Sequence, residues 1–314
     1  MKILILNHDK IKCGTYQFCK RVYNLAAMSE KVNYIYREIP YGDLKDHSES
    51  RSLYISILNE INPDFIIYNY HWDRMPWLQE TDITENKKAK HYFIWHDGSM
   101  MKNYDKYLLF GSRPPTMDYF MQGRTALLPR PLYIYNGNYP TNDTVTIGSF
   151  GFAFNHKNFH TIAPLVGKYF QRSIVNLHFT NPYFGDTPGN RLEDIINLCY
   201  KSNTNPNIQL NITTDFWDDS MLLEFLAGND MNIFMYDISV QNPGISSAID
   251  YALSVKRPIA ISNNMMFNHI MSDDILVEKT PLSDILSKGT NPLEGLYRAW
   301  DTSLFTKEME ELFL

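Results

Sequence analysis

Short apolar runs alternate with amphipathic stretches along most of the chain. Ile3–Leu6, Val32–Tyr36, Phe65–Tyr68, His91–Trp95, Lys106–Phe110 and Ala126–Pro129 read as strands. A helix is predicted from about Tyr16 to Met28, after Gly14-Thr15. A second covers Ser50–Asn62, with Leu53, Ile57, Leu58 and Ile61 on one face, and Asn62-Pro63-Asp64 stops it. The segment Asn136–Asp143 is polar and broken by Gly137 and Pro140, which reads as a linker. The pattern then restarts. Val145–Phe150, Ser173–Phe179, Ile208–Ile212, Asn232–Tyr236 and Pro258–Ile261 read as strands. Phe159–Tyr169, Leu192–Tyr200, Ser220–Leu226 and Gly244–Leu253 read as helices.

Strands alternating with helices imply a parallel sheet covered on both faces. The fold class is α/β, as two tandem Rossmann-like doubly wound domains with a cleft between them. The first domain is expected over 1–138 and the second over 139–290. A C-terminal helical segment, 291–314, is expected to pack back on the first domain. The 314-residue length suits two domains of roughly 150 residues. With 44% hydrophobic residues there is ample core material. A net charge of −6 disfavours a general nucleic-acid or anionic-membrane binder. Cys13, Cys19 and Cys199 are three, without close pairing, which suits reduced thiols in a cytoplasmic protein. The N-terminal apolar run is too short for a signal peptide, and no run approaches the ~18 residues of a membrane span.

Open α/β sheets bind ligands beyond the carboxyl ends of their strands. Four loops there carry candidate chemistry. The first ends in Gly14-Thr15, where Gly permits close backbone approach and Thr can cap a helix. The second is Trp95-His96-Asp97-Gly98; His71, after Tyr68-Asn69-Tyr70, is a weaker version. The third is Gly148-Ser149-Phe150-Gly151-Phe152 leading to His156-Lys157-Asn158. The fourth is Asn242-Pro243-Gly244-Ile245-Ser246, which opens the helix bearing Asp250. A helix N-terminus with small polar residues presents N–H groups and a positive dipole end to phosphate. Against each stands its ordinary use: strand–helix turn, structural histidine, solvated lysine and surface acid. There is no G-x-G-x-x-G, no P-loop and no Asp-x-Asp metal signature.

The order of these loops resembles glycosyltransferase family 4 and its relatives with the GT-B fold. There a Glu-x7-Glu motif brackets a Gly-containing turn; here its acidic places hold Asn242 and Asp250. The family places His-Asp after a first-domain strand, here His96-Asp97. Its Gly-Arg, four residues, then Lys-Asn matches Lys157-Asn158, with Phe152 at the Arg place. Leu128-Pro129-Arg130-Pro131-Leu132 is similar to its Ile-Pro-Asn-Gly-Val. The resemblance implies a retaining, metal-independent transfer of sugar from a nucleotide-diphosphate sugar to a hydroxyl acceptor, with no cofactor. It implies that His96 contacts the donor sugar and that Asp97 lies near the acceptor. Gly14, Thr15, Gly151, Lys157, Asn242, Gly244, Ile245, Ser246 and Asp250 would hold the donor: Lys157 its diphosphate, Asp250 its ribose. Tyr70, Trp72, Trp77 and Trp95 lie near strand ends and would suit stacking on sugars. The missing Arg and Glu keep open a non-catalytic scaffold that binds a glycan, nucleotide or protein. A basic face including Lys10, Lys12, Lys20 and Arg21 keeps open transfer to modified DNA bases.

Overall fold

The computed structural model describes residues 1–41, 46–97, 100–112, 123–184, 191–240 and 244–314. The chain divides into two compact units. One comprises Met1–Pro131 together with Ala299–Leu314; the other is Leu132–Arg298.

The first unit runs β1 (Lys2–His8), α1 (Gly14–Ala26), β2 (Asn33–Ile39), α2 (Ser48–Ile61), β3 (Phe65–Tyr68), α3 (Glu80–Glu85), β4 (Lys90–Ile94), β5 (Lys106–Phe110) and β6 (Thr125–Leu128). Its sheet has the order β2-β1-β3-β4-β5-β6, and every pairing is parallel. Alternate side chains point to opposite faces, which separates two cores. Leu4, Leu6, Ile66, Tyr68, Phe93 and Leu109 pack with Tyr54, Ile57 and Trp77. Ile3, Ile5, Ile67, Ile94, Leu108 and Phe110 pack with Phe18, Val22 and Leu25 of α1. Phe305, Met309 and Phe313 join this second core from the C-terminal end. That end is also tied polar atom by polar atom. Tyr34 donates to the Met309 carbonyl (2.9 Å), Thr306 to the Leu25 carbonyl (3.2 Å), and Lys31 pairs with Glu310 (2.9 Å).

The second unit runs β7 (Thr146–Phe152), α4 (Ile162–Tyr169), β8 (Ser173–Thr180), α5 (Leu192–Ser202), β9 (Ile208–Thr213), α6 (Asp219–Ala227), β10 (Met231–Phe234), α7 (Ala248–Ser254), β11 (Ile259–Ile261), α8 (Leu282–Lys288) and α9 (Glu294–Ala299). The last helix, α10 (Thr302–Glu311), belongs to the first unit. The second sheet has the order β11-β10-β7-β8-β9, again parallel throughout. The fold is thus α/β with two doubly wound parallel sheets. In each, the strand order reverses beside the first strand, between β1 and β3 and between β7 and β10. Such reversals open a crevice at the carboxyl ends of the strands.

Differences from the sequence expectation have local causes. The helix expected from Gly244 begins at Ala248. Ser246 gives its N–H to the Met266 carbonyl (3.1 Å) and its hydroxyl is hydrogen-bonded with that of Tyr236 (2.8 Å), which holds the preceding loop off the helix. The helix expected from Phe159 opens as a tight 3-10 turn after Asn158, a left-handed residue at φ 49°. The short α3 was not anticipated; a reciprocal Gln79–Asp82 cap starts it. The expected basic face fails at Arg21, which is fully buried against Phe18.

A ladder of amides crosses one face of the second sheet. Asn211 donates to Asn176 (2.9 Å), Asn176 to Asn229 (3.1 Å), and Asn229 to Asn232 (3.1 Å). Asn229 crosses directly over Gly148, where a Cβ would overlap its amide nitrogen and lie 2.5 Å from its Cγ. Gly148→Ala is expected to destabilise the protein by ~2–3 kcal/mol, because overpacking must push a hydrogen-bonded amide aside. Urea denaturation checks this; an unchanged midpoint would show that Asn229 yields freely.

Candidate functional site

In the first unit the ends of β1, β3 and β4 meet. The register pairs Leu6 with Tyr68, so the next residues, Asn7 and Asn69, lie side by side. Asn69 Nδ2 donates to Asn7 Oδ1 (2.7 Å) and to the Thr15 carbonyl (3.1 Å). Its Oδ1 lies 2.6 Å from His96 Nε2. Two residues on, His71 Nδ1 accepts the Asp73 N–H (3.1 Å), and His71 Nε2 donates to Asp97 Oδ2 (2.9 Å). The end of β3 thus reaches across to both members of the His96-Asp97 pair. His8, at the end of β1, accepts the Lys10 N–H at Nδ1 (3.1 Å) and bonds Thr15 Oγ1 through Nε2 (3.2 Å). Thr15 and Gly14 form the first turn of α1, whose N-cap Cys13 makes no side-chain cap. No acidic residue offsets the positive end of that helix in its first turn. Phe18 of α1 meets His96 edge-on, with ring centroids 5.9 Å apart. Arg130 lies over the Phe18 ring at 4.6 Å and donates to the Phe110 carbonyl.

In the second unit the informative place is the end of β7. Gly151 has φ 154°, and a Cβ there would overlap Lys157 Nζ. Lys157 therefore lies on the bare backbone of Gly151. It is only 8% exposed. Its ammonium is 5.4 Å from the Tyr236 ring and 5.9 Å from the Phe152 ring. No ion pair joins it to a carboxylate among the described residues. Ring faces supply part of what a counter-ion would. His156 stacks on Phe154 (5.4 Å) and meets Tyr236 (5.9 Å). Tyr236 is the common neighbour, since its hydroxyl also bonds Ser246. Gly244 is buried and Ile245 half-buried in the same loop. Asp250 lies in the first turn of α7 and is 0% exposed, so it is no surface acid. Asn242 lies outside the described residues, as does Gly98.

The sequence reading missed Asn7, Asn69 and Tyr236. A polar residue directly after an apolar strand was the available signal for the two asparagines. Among the described residues, no three His, Cys, Asp or Glu side chains gather as metal ligands. No helix among them is long and apolar enough to cross a membrane.

Burial keeps several rings neutral. It pushes His8 and His96 from 6.5 down to about 3, and His156 and His178 down to about 4. Arg74 adds to the effect at His8 and Lys157 at His156, whereas Asp97 opposes it at His96. His178 lies flat against Trp217, with ring centroids 3.7 Å apart. The unfolded chain takes up these protons near pH 6.5; the folded chain refuses them until about 4 or 3. Their contribution is whole above 6.5 and drains as pH falls toward 4. Denaturation midpoints should hold from pH 7.5 to about 6.5 and fall from there to 4.5, and less so in His178→Phe. Identical slopes in the two proteins would remove His178 from this account.

No protein-family model matches the chain, and no curated protein does. Solved structures do. A glycosyltransferase from Rickettsia africae ESF-5 is 11% identical, with a TM-score of 0.66, over 99% of this chain and 97% of that one. AviGT4, a glycosyltransferase involved in avilamycin A biosynthesis, is 9% identical at TM-score 0.66, covering 99% and 96%. Trehalose-6-phosphate synthase OtsA is 10% identical at TM-score 0.62, covering 99% and 98%. The chain has the GT-B fold of these proteins.

Proposed function

We propose that the chain is a glycosyltransferase that moves a sugar from a nucleoside-diphosphate sugar to a hydroxyl acceptor. One observation carries this reading: Lys157, a buried lysine whose ammonium lies on the bare backbone of Gly151, with aromatic faces and no ion-paired carboxylate among the described residues. A buried cation of this kind is matched by an anionic ligand. The fold shared with glycosyltransferases supports reading that anion as a donor diphosphate.

In the reaction the bond between anomeric carbon and diphosphate oxygen breaks. A bond to the acceptor oxygen forms, and the acceptor proton passes to the departing diphosphate. Negative charge grows on the leaving oxygens, and Lys157 stabilises it there. Positive charge grows on the sugar ring, which a neutral His96 tolerates and a charged one would not. Asp97, held by His71, lies on the acceptor side. The reading assigns retention of configuration and no metal. Gly14 and Thr15 contribute the open end of α1, whereas Gly244, Ile245 and Ser246 contribute loop backbone. Asp250 and Asn242 are assigned to ribose and sugar hydroxyls. Three buried free cysteines fit a reducing compartment, the cytoplasm.

A second reading has its own observation. Phe152 stands where a second phosphate-binding cation is expected, and its ring faces Lys157. A scaffold that binds a nucleotide or glycan without turnover would tolerate that loss. Calorimetric titration with nucleoside diphosphates, followed by a donor-hydrolysis screen across nucleotide sugars, separates the readings. Binding with slow hydrolysis supports the enzyme. Binding without hydrolysis of any donor supports the scaffold, and no binding at all removes both from Lys157.

A further inference from the structure

We propose that Asn69 is a positioning residue of the reaction centre: it holds His96 as the ring whose proton sits on Nε2. The proposal rests on the reading of His96 given above.

A neutral imidazole has two tautomers, and the partner of one nitrogen selects between them. His96 Nε2 lies 2.6 Å from Asn69 Oδ1. An amide can turn either its oxygen or its nitrogen to a neighbour, and its remaining bonds decide which. Asn69 Nδ2 lies 3.1 Å from the Thr15 carbonyl, a group that can only accept. Its other hydrogen goes to Asn7 Oδ1 at 2.7 Å. Asn7 is fixed in the same way. Its Nδ2 faces the Tyr16 carbonyl (3.1 Å) and the Tyr36 hydroxyl (2.9 Å), and its Oδ1 accepts the His8 N–H (2.9 Å). Turning over either amide would set nitrogen against nitrogen or oxygen against a carbonyl. Backbone atoms of β1 and α1 therefore determine the orientation of Asn69. Its oxygen faces His96, and His96 Nε2 must be the donor.

The surroundings also explain why the residue is an amide. His96 is faced by Asp97 on its own loop, by Asn69 and His71 from β3, and by Arg130 after β6. His8 from β1 and Phe18 from α1 also face it. Arg130 and His71 disfavour a positive ring, and Asp97 is drawn to His71 by a 2.9 Å bond. A carboxylate at position 69 would stabilise the charged ring; an amide accepts the same hydrogen without doing so. Asn69 thus supplies orientation while leaving the ring neutral. Asn7 and Asn69 are both fully buried, so this orientation does not depend on solvent.

The test combines side-chain nitrogen NMR of the histidines with steady-state kinetics, on the full chain. In the wild-type protein His96 is expected to stay neutral from about pH 5 to 8 with its proton on Nε2. A proton on Nδ1, or a ring that charges in this range, overturns the proposal whatever the enzyme does. Asn69→Asp is expected to raise the titration of His96 by at least about one unit and to move the pH–rate profile with it. A purely structural role for Asn69 would leave that titration in place, which would also overturn the proposal. Asn69→Leu is expected to lower kcat at least ~10-fold with the donor KM within ~2-fold. An unchanged kcat, in a series where His96→Ala is impaired, overturns it. Should Asn69→Leu fail to fold, the wild-type ring measurement still decides. His96→Ala at full rate brings down the enzymatic reading instead, and the NMR result distinguishes the two failures.

Discussion

Lys157→Ala should weaken nucleoside-diphosphate binding by ~1.5–3 kcal/mol, about 10- to 150-fold, while the protein stays folded. The side chain is almost wholly buried and ends in a charge without an ion-paired carboxylate among the described residues. Burying such a charge opposes folding, so removing it does not cost the fold what a buried apolar residue would. What it removes is the charge-assisted contact proposed for the ligand. Lys157→Met keeps an aliphatic stem, loses the charge beside the Phe152 and Tyr236 rings, and should lose the same affinity. Gly151→Ala provides an independent check. Its methyl group would occupy the place of the ammonium, on a backbone at φ 154° that disfavours a side chain. Affinity should drop in Gly151→Ala although Lys157 is still present. Calorimetry with a nucleoside diphosphate measures all three. Unchanged dissociation constants would remove Lys157 from the site.

The sheet elements were legible because the chain marks them plainly. Asn62-Pro63-Asp64 and the short apolar run Phe65–Tyr68 are local signals, and the strand appears over those residues. The place of Lys157 soon after a Gly-bearing strand end is likewise a local pattern. Its contact with Gly151 was not, since that depends on the loop folding back through a 3-10 turn. Asn7 and Asn69 stand 62 residues apart in the chain and become neighbours only through the pairing of β1 with β3. Nothing in either short segment states that register. The start of α7 was misjudged because Gly244–Ser247 looks like a helix opening, whereas Met266 and Tyr236 hold Ser246 elsewhere. Arg21 misled in the opposite direction. Its charge suggests a surface, yet its place on α1 turns it inward beside Phe18.

His96→Ala should lower the turnover rate by ~10²-fold or more, equivalent to about 2.7 kcal/mol of transition-state stabilisation. The argument starts from the ring's charge and its anchoring. Burial holds the pKa down to about 3, so the ring is neutral near pH 7. Asn69 fixes one of its nitrogens at 2.6 Å, and Phe18 meets it edge-on. A neutral, rigid ring can lie against a sugar that is becoming positive without repelling it, and needs little rearrangement to do so. Its stabilisation is realised as charge develops, so it belongs in the rate and not in ground-state affinity. Binding of the free nucleoside diphosphate should hardly change, because that ligand has no sugar. Lys157→Ala should show the reverse emphasis, with ligand affinity lost first. The two variants thus separate the role of His96, after β4, from that of Lys157, after β7. Steady-state kinetics and calorimetry on both variants, each confirmed folded by thermal denaturation, test the division. A folded His96→Ala protein that transfers sugar at the wild-type rate would reduce the likeness to glycosyltransferases to shared architecture.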